Sequence, residues 1–351
     1  MSGRLQQGPS PAVHVLGTAR HNVLVDRRAG AVAIGAALIA LLSFLLALVL
    51  GDFPITSADL RDVLSGQAEP LIRTVVLEWR LPRALAALVF GAALAVSGAI
   101  FQTMTRNPLA SPDIMGLANG SYTGMILALL FLGPQWHLLT GGALSGGLLA
   151  AAVIYLLALR DGLQGFRFII IGIGVSAMLA SANTWLLLRV DVDVALMATA
   201  WGAGTLNGMS SAVLWPTGIV ILILMCCVPA LSGPLRQLSL GDDAAAASGA
   251  HVRRARIAAI AIAVGLVSAV TAVAGPIAFI ALSAPQISRR LARTAEVPMV
   301  ATALVGAVLL LGSDIASQHV ISVPIPVGVV TVVLGGMYLV WLLIKEARKV
   351  S

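Results

Sequence analysis

Apolar runs of about twenty residues recur along the chain, separated by short polar or proline-rich breaks. They fall at 31–50, 80–103, 114–132, 138–159, 168–188, 212–231, 257–274, 276–290, 299–316 and 327–344. A helix needs ~20 residues to cross a bilayer, so the pattern predicts ten spans. Runs of this length are not the alternating strands of a membrane barrel. The expected fold class is therefore all-α: a polytopic membrane protein of ten transmembrane helices. A further apolar piece, 194–206, is too short to span and reads as a re-entrant or outer-surface helix.

The breaks organise the rest. Residues 1–30 read as a cytoplasmic basic tail with Arg4, Arg20, Arg27 and Arg28, and residues 31–349 as one transmembrane domain. The tail does not resemble a cleavable signal, because its apolar stretch starts late and no A-x-A site closes it. Pro82 opens the second span in the first turn, where its missing N–H costs little. Arg106 to Asp113, with Pro108 and Pro112, is a tight non-helical connection. The insert 232–256 breaks the apolar pattern most strongly. Within it, Gly241, Asp242 and Asp243 open a short alanine helix, since acids suit a helix N-terminus. Gly249 can close that helix. So short a helix is marginal alone in water. It is either stabilised by a partner surface or an incidental turn in a solvated loop.

Composition excludes a soluble globule. Of 351 residues, 59% are hydrophobic and 11% charged, with a mean hydropathy of +0.97. Soluble domains carry about 25% charged residues, and so apolar a chain could not cover its surface in water. Charge then sets orientation. With both termini inside, 17 of the 22 Lys and Arg fall on cytoplasmic segments. The outside holds Arg61, Arg73, Arg80, Arg83 and Arg189. That asymmetry has the sign of the positive-inside rule, which accounts for the net charge of +7 without nucleic acid.

Little in the chain suggests chemistry of its own. Its two lysines, Lys345 and Lys349, lie outside any G-x-x-x-x-G-K-[ST] motif, so ATP, if used, is hydrolysed by another chain. Cys226 and Cys227 are adjacent in an apolar run and read as two small core residues rather than a metal site. His14, His21, His137, His251 and His319 show no ligand spacing. Asp113 and Asp314 stand at span ends, and the span centres hold no charged residue, which weakens a proton- or ion-coupled reading. No Ser/His/Asp or Cys/His arrangement is apparent, so the chain is expected not to be an enzyme. Small residues in Gly91-Ala92-Ala93 and Gly172-x-Gly174-x-Ser176 allow close helix packing without specifying a function.

Longer motifs are more specific. Arg80-Leu81-Pro82-Arg83, then Gly91 to Gln102, then Arg106-Asn107-Pro108-Leu109-Ala110-Ser111-Pro112-Asp113-Ile114-Met115-Gly116 resemble the iron-siderophore (FecCD-type) permeases, membrane subunits of binding-protein-dependent ABC importers. Leu240-Gly241, Gly275-Pro276-Ile277-Ala278-Phe279-Ile280, Ala284-Pro285 and Ile325 to Thr331 continue the likeness, which runs from about residue 31 to 349. Asp314 to His319 and Gly335 to Leu339 look most like the second permease subunit of ferric-enterobactin-type systems.

The resemblance implies a type II importer subunit moving ferric siderophore across the inner membrane. It implies a sister permease subunit, two ATPase subunits that carry ATP and magnesium, and a substrate-binding protein, with no cofactor in this chain. The same architecture importing cobalamin or haem is the nearest alternative. A proton-coupled secondary transporter and a non-transporting scaffold are alternatives of other classes. By the resemblance, Arg80 and Arg83 face the binding protein's acidic lobes; fixed guanidiniums at an outer rim suit carboxylate docking, and interfacial anchoring is the alternative. Asn107, Pro108 and Leu109 match one half of a cytoplasmic gate and Ile169, Ile170 and Ile171 the other, although Asn-Pro is also an ordinary turn. Leu240, Gly241, Asp242, Asp243, Ala244, Ala247, Gly249 and Val252 match the segment that couples to the ATPase. Three positions depart from the family pattern: Ser317 replaces an arginine, Ser248 a leucine and Gln286 a histidine.

Overall fold

The computed structural model describes residues 13–16, 23–113, 116–158, 165–247, 251–320 and 325–350. Two short strands, β1 (Val13–Leu16) and β2 (Val23–Asp26), pair antiparallel with Val13 opposite Asp26. They fall within the stretch read as a plain tail. The other elements are helical: α1 (Arg27–Val49), α2 (Ser57–Ser65), α3 (Pro70–Thr74), a π-helical turn (Val75–Arg80), α4 (Leu81–Thr105), α5 (Leu117–Phe131), α6 (Trp136–Ala158) and α7 (Gly165–Leu187). They continue with α8 (Val192–Gly202), α9 (Ser211–Ser239), α10 (Asp242–Ala247), α11 (Val252–Ala274), α12 (Ile280–Ala292), α13 (Met299–His319) and α14 (Val327–Val350). Each of the ten apolar runs falls on a helix. Among the described residues, seven helical stretches are long and apolar enough to cross a membrane, α5, α8 and most of α14 form shorter apolar helices, and α12, on the run 276–290, belongs to neither group.

Helix α4 is the axis of the bundle. It packs against α9, α11, α12 and α13, and 78% of its apolar window is buried. Small residues make this possible. A Cβ on Gly98 would overlap the Ala281 carbonyl oxygen of α12. Gly91 meets Gly306 of α13 in the same way. The α5–α6 pair closes through Gly120 and Gly124 against Gly142 and Gly146. In a bilayer, where lipid is as apolar as leucine, such close backbone approach holds helices together.

Three features depart from the apolar pattern. Helix begins at Pro70 rather than Arg80 and runs unbroken to Thr105. Its π-helical turn lies just before Pro82, with the Leu81 N–H bonded to the Val76 carbonyl. Proline has no N–H to offer the carbonyl four residues back and presses on it; the wider turn relieves that clash. Helix α9 continues through Gly233-Pro234 to Ser239, so the break expected at 232 falls at Leu240. Leu231, Leu235 and Leu238 are buried on one face and carry the helix past the proline. Cys226 and Cys227 are exposed on α9, not in the core. Only 17% of that helix's apolar window is buried, because the outward face of a membrane helix is apolar too.

Candidate functional site

At the N-terminal end of α4, both arginines are engaged within the chain. The Arg80 guanidinium donates to the carbonyls of Leu48 and Val49, each at 2.9 Å, and of Phe53 at 2.6 Å. It thereby satisfies carbonyls that the end of α1 leaves unpaired. Arg83 grips Asp314 through Nε (3.1 and 3.0 Å) and Nη2 (2.7 Å), and its Nη1 donates to Asn207 Oδ1 at 2.6 Å. Asp314 is 1% exposed and accepts a further bond from Gln318 Nε2 at 2.9 Å. A charge so deeply buried requires such a set of partners. Together with Asp52, Glu78, Trp79 and His319, these groups line a cavity of about 730 Å³. Ser317 is fully buried and donates to the Asp314 carbonyl, so it points into the protein.

At the opposite end of α4, the chain turns sharply. Arg106 adopts a left-handed conformation (φ 53°), with its N–H bonded to the Thr103 carbonyl and that of Asn107 to the Gln102 carbonyl. This is the helix ending that usually takes glycine. Asn107 Oδ1 accepts from the Leu109 N–H at 2.9 Å, and its carbonyl from the Ala110 N–H. The turn is thus fixed by the Asn107 side chain, as in an Asx turn. Pro108 and Leu109 are exposed, whereas Ala110 and Ser111 are buried.

From there the connection climbs back into the bundle. The carboxylate of Asp113 accepts from Ser111 Oγ at 3.1 Å and from the Phe279 N–H, at the start of α12. A Cβ on Gly116 would lie 3.2 Å from Ser176 Cα and 3.3 Å from the Gly172 carbonyl oxygen, two turns into α7. Asp113 is therefore half-buried at a span end, where two non-helical segments meet. Ile169 and Ile171 pack against the main core, while Ile170 is exposed. The two proposed gate halves thus sit on neighbouring elements, joined where Gly116 meets α7.

Helix α7 is held by a polar ladder rather than by burial, with 11% of its apolar window buried. Asn119 Nδ2 donates to Ser176 Oγ at 2.8 Å, Thr123 Oγ1 to Asn183 Oδ1 at 2.7 Å, and Asn183 Nδ2 to the Asn119 carbonyl at 3.2 Å. The sequence reading noted Ser176 only as a small residue.

The expected alanine helix is α10. Gly241 (φ 112°) makes the turn into it, and the Ala245 N–H bonds back to the Gly241 carbonyl. Leu240, Ala244 and Ala247 are exposed, and Ala245 is buried. Val252 begins α11, and Asp242 and Asp243 occupy the first turn of α10. Gly249 and Ser248 lie outside the described residues. Gln286, which stands where the family has a histidine, is held by three partners. Buried on α12, it donates to Gln102 Oε1 at 2.6 Å and the Pro108 carbonyl at 3.2 Å, and accepts from Arg289 Nη2 at 3.2 Å. Among the residues that sequence reasoning missed, Asp314 had one usable signal: a lone acid in an apolar helix needs a cationic partner.

Several known proteins are similar to this chain over most of its length. The chain is 46% identical over 300 residues to the ferric enterobactin transport system permease protein FepG of Escherichia coli K12, covering 85% of this chain and 91% of that protein. It is 31% identical to the ferric enterobactin permease FepD of the same strain, over 90% and 95% of the two chains. A solved structure of a metal-chelate type ABC transporter in an inward-facing conformation superposes with a TM-score of 0.81 at 26% identity, covering 90% of this chain and 99% of that one. The sequence profile of the FecCD transport family matches residues 39–345, and the chain belongs to that family.

Proposed function

We propose that this chain is the permease subunit of an ATP-driven importer that carries ferric siderophore across the cytoplasmic membrane. The observation that carries the reading is its 46% identity to a ferric enterobactin permease across nearly the whole length of both. The ten helices cross the membrane with both termini inside, a sister permease completes the pathway, and separate chains bind and hydrolyse ATP. Leu240 and, from helix α10, Ala244 and Ala247 meet the ATPase. The Asn107-Pro108-Leu109 turn and the start of α7 (Ile169 to Ile171) close the path on the cytoplasmic side. Small side chains suit a bulky solute whose iron is already coordinated.

The deciding experiment is radio-iron uptake in a strain lacking this chain, with and without its return on a plasmid. A catecholate, a hydroxamate and a mixed-type chelate are offered separately, with labelled cobalamin as the contrasting cargo. Restored uptake of one iron chelate, lost when the companion ATPase is inactivated, is the expected result. Restored uptake of cobalamin alone would overturn the siderophore assignment.

Arg80 and Arg83 form the docking rim for the binding protein's acidic surface, using the N–H groups left over from their internal bonds. Arg83→Glu should weaken docking. Combining it with Asp314→Arg restores an ion pair in reverse. Docking that stays weak while assembly recovers supports the docking role. Docking that recovers with assembly leaves Arg83 a clamp alone.

A further inference from the structure

A second cavity, of about 500 Å³, lies beside the Asn107 turn, between the ends of α4, α9 and α12. Three guanidiniums line it: Arg106, Arg236 and Arg289. Among the described residues of its wall, the one acid is Glu296, and it is already paired with Arg236 at 2.8 Å. The Arg106 guanidinium has no hydrogen-bond or ion-pair partner among the described residues. Arg289 bonds only weakly to a neutral acceptor, Gln286 Oε1, at 3.2 Å. Among the described residues, Arg106 and Arg289 thus face this space with no acid of their own. Planar guanidiniums in that arrangement suit a carboxylate or a phosphate.

We propose that this cavity receives a carboxylate side chain of the ATPase subunit, gripped by Arg106 and Arg289. The inference rests on the importer reading and names the polar anchor of its coupling contact. Two observations favour a protein carboxylate over a lipid phosphate. First, Leu240 lines the cavity and begins the exposed face of α10, which continues with Ala244 and Ala247. So small an apolar face is a poor membrane anchor, which takes large and aromatic side chains. It does suit close contact with another protein surface. Second, Arg106 lies against Gly241, with its Nη1 3.2 Å from where a Cβ there would stand, so the cavity and the entry to α10 are one continuous surface. The cavity is also wired to the turn. A carboxylate taken by Arg289 competes with Gln286 Oε1, and Gln286 Nε2 holds the Pro108 carbonyl. Arrival of the acid therefore bears on the segment assigned to the gate.

The test measures the affinity of the native ATPase subunit for the permease complex in phosphatidylcholine nanodiscs, at low and high salt. Arg106→Glu combined with Arg289→Glu is expected to weaken binding at least tenfold at low salt, as loss of close charge pairs does. One Asp→Arg or Glu→Arg change on the ATPase face is expected to restore it. The milder pair Arg106→Gln, Arg289→Gln serves if the double glutamate variant fails to assemble, and the same acid-to-arginine rescue is then absent. Unchanged affinity overturns the proposal. So does a loss seen only in nanodiscs containing anionic phosphatidylglycerol, which would assign the cavity to a lipid headgroup. If the wild-type complex binds no ATPase at all, the importer reading falls first.

Discussion

Arg83 and Asp314 stand 231 residues apart in sequence and share one bidentate ion pair. Asp314 is buried, so removing Arg83 strands a charge in low dielectric. Arg83→Ala is expected to destabilise the protein by ~3–5 kcal/mol, the usual result of breaking a buried pair. Replacing both partners with apolar residues, Arg83→Met with Asp314→Leu, should cost much less, because neither charge is left alone. Thermal unfolding followed by fluorescence-detected size exclusion separates these outcomes; equal losses in both variants would show that the pair's geometry, not its charge balance, matters. Asp113 makes a smaller version of the same case. Asp113→Ala removes the partner of the Phe279 N–H at the α12 N-terminus, a loss of ~1.5–3 kcal/mol for a hydrogen bond to a charged group. Asp113→Asn keeps an acceptor and should recover most of it in the same assay.

At the scale of elements, α7 depends on a ladder of polar side chains. Each interhelical hydrogen bond in a membrane protein contributes ~0.6 kcal/mol on average, up to about 1.7. Asn119→Ala with Asn183→Ala is expected to loosen α7 while α4 and α11 stay protected. Hydrogen exchange read segment by segment tests it: faster exchange over 176–187 alone is the expected pattern. Helix α2 offers a pH-dependent counterpart in its capping box. The Asp59 carboxylate accepts from the Thr56 N–H and hydroxyl, both at 2.7 Å, which holds its pKa below the usual carboxylate value. A lowered folded-state pKa means that its contribution is complete above the ordinary carboxylate pKa and is lost as pH falls through the lowered one. Amide exchange over 57–65, corrected for intrinsic rates, should accelerate on acidification in the wild type. In Thr56→Ala it should already be fast at neutral pH.

The same elements show what a sequence of this kind discloses. Every apolar run holds a helix, because length and hydropathy are read along the chain. The turn at Asn107 was legible for a local reason: Asn-Pro followed by small residues dictates it. The continuation of α9 past Pro234 was not, because three leucines on a face still to be packed outweigh one lost hydrogen bond. The Arg83–Asp314–Asn207 cluster was hidden in part: Asp314 called for a cation, but nothing local names Arg83 or Asn207 as its partners.

For the whole molecule, the inside–outside rule of soluble proteins gives way. Ile34, Leu38, Leu42 and Leu46 are exposed on α1, while the interior of α4 combines Ala84, Ala86, Ala87, Ala93, Ala95, Ala99 and its glycines with the fully buried Phe90, Leu94, Ile100 and Phe101. Small residues set how closely the central helices approach, while apolar side chains, Cys226 and Cys227 among them, also cover the outer faces. Two glycines that look alike in sequence then separate cleanly. A methyl on Gly98 would collide with the backbone of α12, whereas one on Gly218 of α9 meets nothing within 4 Å. Gly98→Ala must push α4 and α12 apart, and overpacking of this kind costs ~1–3 kcal/mol or more. Gly218→Ala adds helix propensity in open space and should be neutral or stabilising, by up to about 1 kcal/mol. Expression yield and thermal stability of the two variants in detergent give the comparison. Equal tolerance of both would mean that the α4–α12 contact yields without loss and that small-residue packing is not what holds this bundle together. Loss at Gly98 alone would tie the glycine and alanine richness of the chain to the closeness of its central helices.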